Sequence, residues 1–263
     1  VPVTEITDAG DPRLHDYRAL TEHRLREDGG KFVAESEPVV RKLLSSGLGV
    51  QSILVTAPRM RSLEQATIPT RIPVFLVPQD VMDAVAGFHV HRGCLAIGQR
   101  PAAALVPDDA SLVVVLENLV DVDNVGAMIR NACAFGADAL VLSPRCADPF
   151  YRKAIRVAMG NTFFVPLVRA AAWPDALHDL DRRGIETVAA VLDPTVTALG
   201  DFPPPARVAL VFGSEGPGLS AGALAACRTR VTIPMTGADS LNVATAAAIC
   251  LHHIVTRRSQ SVR

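Results

Sequence analysis

At 263 residues, 49% of them hydrophobic, the chain can bury a real core and is long enough for two domains of ordinary size. A net charge of −1 excludes a general attraction to polyanions, so a nucleic-acid partner would have to be met by local arginine clusters. Five scattered cysteines with no Cys-x-x-Cys spacing argue against a disulfide framework and a zinc site and fit a reducing cytoplasm, and no signal peptide or membrane-spanning stretch is visible.

The first hundred residues read as a small α/β unit. A charged stretch at 17–26, with Leu20 and Leu25 on one side, predicts a helix ending near Gly29 and Gly30, followed by a short strand at 31–34. A helix at 37–46 stops at Gly47, a good C-terminal cap residue. Strands at 50–56, 73–77 and 94–98 are separated by helical stretches, the clearer one at 79–86. His89 and His91 share a strand face but have no third ligand nearby, so no metal site is expected. Arg13, Arg18, Arg24, Arg26 and Lys31 are compatible with RNA binding, yet Glu22, Glu27 and Asp28 dilute them and a solvated helix face explains the same charges. The aperiodic, proline-containing stretch 100–110 reads as a linker, dividing the chain into domains at 1–104 and 105–263.

From Ser111 strand and helix alternate. Apolar strands are predicted at 112–116, 139–142, 163–167, 186–191, 208–212 and 231–233, the pattern of strands covered on both faces. Helices at 125–135, 150–159 and 174–183 end at Gly136, Gly160 and Gly184. The expected fold is α/β with a parallel sheet.

Three loops at strand ends carry polar chemistry. After the first strand, the stretch 117–126 opens a helix, with Asn124 near its start and Arg130 inside it; Asn124 as a helix cap and Arg130 as a solvated charge are the plain alternatives to a site. After the fifth strand, GSEGPGLS at 213–220 supplies three glycines that let backbone approach a ligand, with Glu215 as the charge of the turn. Its spacing is neither the dinucleotide fingerprint nor a phosphate loop. After the sixth, Pro234 ends the pairing, Ser240 sits where a helix N-cap belongs, and Asn242 is held at the start of an alanine-rich helix, either bonding its own backbone or facing a ligand across the strand ends.

Together, DNVGAMIRNACAFGAD, LVFGSEGPGLS and IPMTGADSLNVATAAAI resemble, in order, the three signature motifs of the SpoU/TrmH family of RNA ribose 2′-O-methyltransferases, and KFVAESEPVVRKLLSSG and HRGCLAIGQRP are similar to the family's N-terminal RNA-binding extension. The resemblance implies a SPOUT fold, in which the parallel sheet ends in a deep trefoil knot, an exception to the rule that chains do not knot, plus a small N-terminal α/β RNA-binding domain. It implies S-adenosylmethionine as cofactor, touching Leu192, Phe212, Gly213, Gly216, Ile233, Met235, Leu241, Asn242 and Ala244, and a homodimer with the site near the subunit interface. Asn124, Arg130, Glu215, Ser240 and Asn242 fall on the family's functional positions. The chain departs from many members in having Ser36 where they have glycine, Ala244 where they have serine, and a loop between Met235 and Ser240 one residue shorter.

The implied reaction takes a proton from a ribose 2′-hydroxyl as that oxygen attacks a sulfonium methyl in line. The family's usual candidate base is the first-motif arginine, here Arg130; since a guanidinium keeps its proton to about pH 12 and beyond, gripping a flanking phosphate is the chemically easier role. Asn124 would orient Arg130 or the ribose, Glu215 would pair with a cation or brace its loop, and Arg152, Lys153 and Arg156 are candidate RNA-backbone contacts. Ribosomal RNA is favoured over transfer RNA because the extra domain resembles that of rRNA-directed members. A non-catalytic RNA-binding protein of the same fold and a nicotinamide-dependent enzyme are the other classes, the latter lacking its glycine fingerprint.

Overall fold

The structure is a computed structural model that describes residues 2–18, 30–63 and 67–261. Its chain divides into two compact units, the first made of Val1–Ala102 with Phe150–Phe163, the second of Ala103–Pro149 with Phe164–Arg263. Most of the helix expected at 17–26 lies outside the described residues; just before it, Pro12–Tyr17 forms a 3-10 helix.

The first unit opens with β1 (Val3–Glu5), a short strand without a sequence signal, and continues through β2 (Lys31–Glu35), α1 (Glu37–Ser45), β3 (Val50–Val55), α2 (Ala57–Leu63), β4 (Val74–Leu76), α3 (Gln79–Ala86) and β5 (Cys94–Gln99). Its five-stranded sheet runs β1-β4-β3-β5-β2. β1, β4 and β3 are parallel, and β5 is antiparallel to both β3 and β2. Phe32 explains why residues 150–163 belong here. Its ring packs between Phe150 and Phe163, at centroid distances of 5.2 and 5.4 Å, and a Cβ at Gly98 would lie 2.3 Å from that ring, so only glycine fits opposite. Burying one such phenyl group contributes about 2–3 kcal/mol.

Ser36 sits between β2 and α1 with φ 88 and ψ 146, fully buried, and its hydroxyl has no hydrogen-bond partner. A side chain at that backbone geometry costs roughly 1–3 kcal/mol, and an unsatisfied buried hydroxyl adds to it. Ser36→Gly is therefore expected to raise stability by about 1 kcal/mol after the extra chain entropy of glycine is subtracted, read as a higher thermal midpoint.

The second unit contains β6 (Leu112–Leu116), α4 (Val122–Ala134) and β7 (Ala139–Leu142). After α5 (Arg152–Val157), which belongs to the first unit, come β8 (Leu167–Arg169), α6 (Asp175–Arg182), β9 (Glu186–Ala190), β10 (Thr197–Ala198), β11 (Val208–Phe212), α7 (Ala221–Ala226), β12 (Thr229–Thr232) and α8 (Val243–Ser261). The seven strands are all parallel, in the order β10-β12-β9-β11-β6-β7-β8. Their apolar runs follow from helices covering both faces, and every residue of β6 and β11 is buried.

Several boundaries differ from expectation. The strand predicted at 163–167 is instead a 3-10 turn at Asn161–Phe163 followed by β8, because Phe163 stacks on Phe32 in the first unit and Pro166 has no N–H for a ladder. α4 starts at Val122 rather than 125, since Asp121 caps it by accepting from the Asp123 N–H at 2.7 Å. Among the described residues no helix is long and apolar enough to cross a membrane.

Asp138 ties the start of β6 to the end of the loop before β7. Its Oδ2 accepts from the N–H groups of Ser111 and Leu112 at 2.7 and 2.9 Å and from the Ser111 hydroxyl at 3.1 Å. Burial alone would raise its pKa, but these hydrogen bonds hold the carboxyl below its ordinary value. The stabilisation is present above the unfolded pKa of about 4 and is lost as pH falls through the lower folded value. Asp138→Asn is expected to lower the thermal midpoint at pH 7 and to make progressively less difference in scans taken below about pH 4.

Candidate active site

Within the second unit, the carboxyl ends of β9, β11 and β12 face the same side, as they must in a parallel sheet, and the loops that leave them surround a cleft of about 710 Å³. That volume is within the range of about 300–1,000 Å³ that takes small-molecule ligands. Leu192, Phe212, Gly213, Gly216, Ile233, Met235, Leu241 and Asn242 form its walls, together with Glu215 and Ser240. Ala244 does not reach the wall; it is buried in the first turn of α8, with its N–H and carbonyl both bonded to side chains.

The glycine loop at 213–219 is folded on itself. The N–H of Gly218 donates to the Ser214 carbonyl at 3.0 Å, and a Cβ on Gly213 would lie 2.2 Å from the Gly218 backbone, so the two limbs close only without side chains. Gly216, at the tip, has φ 84, and a Cβ there would meet nothing within 4 Å. The backbone at the tip is thus open to a ligand, and Glu215 stands beside it.

Asn242 joins the three loops. Its Nδ2 donates to Asn124 Oδ1 at 2.8 Å and to Glu215 Oε1 at 2.9 Å, while its Oδ1 accepts from the N–H groups of Ala244 at 2.9 Å and Thr245 at 3.4 Å. Both donors and both lone pairs of the amide are used. The N-cap of α8 is therefore Asn242 and not Ser240: the helix begins at Val243, and only the residue directly before it has an acceptor within reach of the free N–H groups. Asn124 is buried in the first turn of α4 and caps nothing, Asp121 having that task.

Arg130 is not brought to the cleft. It lies further along α4, exposed, with no hydrogen bond or ion pair to any described residue. Arg152, Lys153 and Arg156 lie on α5, in the first unit. There Arg152 and Arg156 both pair with the buried Glu35 carboxylate, and the Arg152 guanidinium stacks 4.2 Å from the centroid of Phe88.

Two residues not singled out from the sequence support the site. Asn131 donates its Nδ2 to the Ala244 carbonyl at 2.7 Å, holding the first turn of α8 to α4. Asp193, on the cleft wall after β9, is held below the ordinary carboxylate pKa by hydrogen bonds from the Thr195 hydroxyl and N–H. The charged side chains on the cleft wall, Asp193 and Glu215, are both acidic, and no Lys, Arg or His is among the described residues that line it. Such a cleft suits a ligand with positive charge and apolar surface, and S-adenosylmethionine, with its sulfonium and ammonium groups, fits that chemistry.

Asn242→Ala is expected to weaken cofactor binding and to lower stability by about 1 kcal/mol through the lost cap. Asn242→Asp keeps the cap acceptor but sets a carboxylate against Glu215, so titration calorimetry is expected to read a larger affinity loss than the thermal midpoint would suggest.

Residues 111–252 match the model of the SpoU rRNA Methylase family, and residues 11–96 match the MRM3-like substrate binding domain. Across 95% of its length the chain is 40% identical to an uncharacterized tRNA/rRNA methyltransferase of Mycobacterium tuberculosis, 91% of which is covered. It is 30% identical to the 23S rRNA (guanosine(2553)-2′-O)-methyltransferase RlmP of Bacillus subtilis, with 95% of this chain and 98% of that protein aligned. The crystal structure of an AdoMet-bound rRNA methyltransferase from Sinorhizobium meliloti superposes with a TM-score of 0.80 at 27% identity, covering 98% of both chains.

Proposed function

This chain belongs to the SpoU rRNA methylase family and is an RNA ribose 2′-O-methyltransferase, and on that premise we propose that ribosomal RNA is its substrate. The observation that carries the reading is the convergence of Glu215 and Asn242 on the wall of an acidic, largely apolar cleft, with Asn124 bonded to Asn242 from the start of α4. The choice of ribosomal RNA draws on the relative RlmP, named for 23S rRNA.

S-adenosylmethionine, when bound, supplies an electrophilic methyl group on sulfur. Backbone around Phe212, Gly213 and Gly216 and the side chains of Leu192, Ile233, Met235 and Leu241 enclose it and keep water away, while Asp193 and Glu215 favour its positive charge. Asn242 holds the start of α8, and Ser240 faces the cleft beside it. Arg130 works on the RNA: an exposed guanidinium without a partner among the described residues is free to hold the phosphate beside the target ribose, and Asn124 anchors the helix that carries it. Arg156, 42% exposed despite its pairing with Glu35, and Lys153 on the same helix are assigned to the RNA backbone with Arg152.

Three finer features belong to the same proposal. Residues 1–104 serve substrate binding and 105–263 methyl transfer. The second unit closes as a deep trefoil knot, a reading supported by Ala244, Ala246, Ala247 and Ala248, whose small side chains permit close passage of backbone, and by the bond from Asn131 to Ala244. The active form is a cytoplasmic homodimer; Ile249, 39% exposed beside Ile233 and Pro234, gives a second copy apolar surface to cover, and free cysteines fit a reducing compartment.

Incubation with methyl-labelled cofactor and either ribosomal or transfer RNA tests the substrate. Alkali-resistant label in ribosomal RNA is the expected result, and label confined to transfer RNA would overturn it. Arg130→Ala is expected to reduce methyl transfer by about 100-fold or more with cofactor affinity and thermal midpoint unchanged. Near-normal turnover in that variant would remove Arg130 from the mechanism.

A further inference from the structure

Glu117 is the most deeply buried carboxylate among the described residues, 1% exposed, and no Lys or Arg pairs with it there. A buried carboxylate persists only when hydrogen bonds satisfy it. Here they come from two places. Oε1 accepts from Trp173 Nε1 and from the Ser220 hydroxyl, both at 2.6 Å, and Oε2 accepts from the Ser220 N–H at 2.8 Å. The Glu117 backbone N–H also donates to the Phe212 carbonyl at 2.8 Å.

Phe212 is the residue before the glycine loop, and Ser220 is the residue after it. One side chain and its own backbone therefore clasp both ends of 213–219. Between those ends the loop carries Glu215, which holds the Asn242 amide, and the open backbone of Gly216. Ser220 in turn caps α7, its hydroxyl accepting from the Ala223 N–H at 3.2 Å. A change at Glu117 is thus transmitted to the cleft wall through the geometry of the loop, although Glu117 does not itself line the cleft.

We infer that Glu117 is a positioning residue for cofactor binding, acting through Ser220 to hold the glycine loop in the shape that presents its backbone and Glu215 to the ligand. The inference rests on the reading of the cleft as the S-adenosylmethionine site. An acid is required rather than an amide, because all three partners are donors and an amide N–H₂ would face one of them.

The test uses the chain's one tryptophan as its reporter, since Trp173 shares the carboxylate with Ser220. Cofactor binding to the unsubstituted chain, Glu117→Gln, Ser220→Ala and the double variant is measured by calorimetry and by Trp173 fluorescence. Each single variant is expected to weaken binding by about tenfold, and the double variant is expected to be no weaker than the worse single one. The Trp173 response to cofactor is expected to be lost in Glu117→Gln, and methyl transfer at saturating cofactor to recover, so that KM moves and kcat does not. Binding within twofold of the unsubstituted chain, an intact Trp173 response, or losses that multiply in the double variant would overturn the inference. Were Glu117→Gln to fail to fold, Ser220→Ala, at an exposed position, decides by the same binding criterion. Absence of binding by the unsubstituted chain would instead overturn the cofactor reading itself.

Discussion

A primary amide has two N–H donors and one oxygen with two lone pairs, and at Asn242 all of them are engaged, by the first turn of α4, the glycine loop and the first turn of α8. No other asparagine isostere does this. Aspartate lacks the donors that meet Asn124 and Glu215, and alanine leaves both the helix start and the two acceptors without partners. Because the first N–H groups of α8 and the Glu215 loop depend on one side chain, the shape of the cleft and the start of the long C-terminal helix are coupled.

That coupling is possible because the second unit's sheet is wholly parallel. Every strand delivers its following loop to the same edge, so residues more than a hundred positions apart in the chain, such as Asn124 and Asn242, become neighbours without any unusual backbone. The acids Asp193 and Glu215 then set the sign of the cleft, while Phe212, Ile233 and Leu241 exclude water from it. Arg130 stays outside with its charge in solvent, and no cation among the described lining residues repels a positively charged ligand.

The first unit is held by a different device. Phe32 accepts aromatic neighbours from residues 150–163, and Glu35 collects Arg152 and Arg156 from the same segment, so apolar packing and a buried charge agree on one docking position. Ser36, next to that acid, takes a backbone conformation suited to glycine. The sheet end is strained there.

The sequence determined the elements whose signal is local. β6, β7, β11 and α3 fall where their apolar periods and bounding glycines and prolines place them, and the three polar loops were identifiable by residue type and order. Whether Asn242 bonds its own backbone or faces the site could not be chosen locally; the fold lets it do both, with its oxygen on the helix and its nitrogen on the other loops. The sequence puts the N-cap at Ser240, and the true start of α8 gives that role to Asn242 instead. The short edge strands β1 and β10 are specified by their parallel neighbours rather than by pattern, and Phe163 was read as a strand residue because its partner, Phe32, is more than a hundred residues away. Glu117, Asn131 and Asp193 are not singled out by residue type or spacing, although Glu117 opens a polar loop and Asn131 lies within a motif. Their roles come from hydrogen bonds between segments distant in sequence, and such bonds are defined only once the chain has folded.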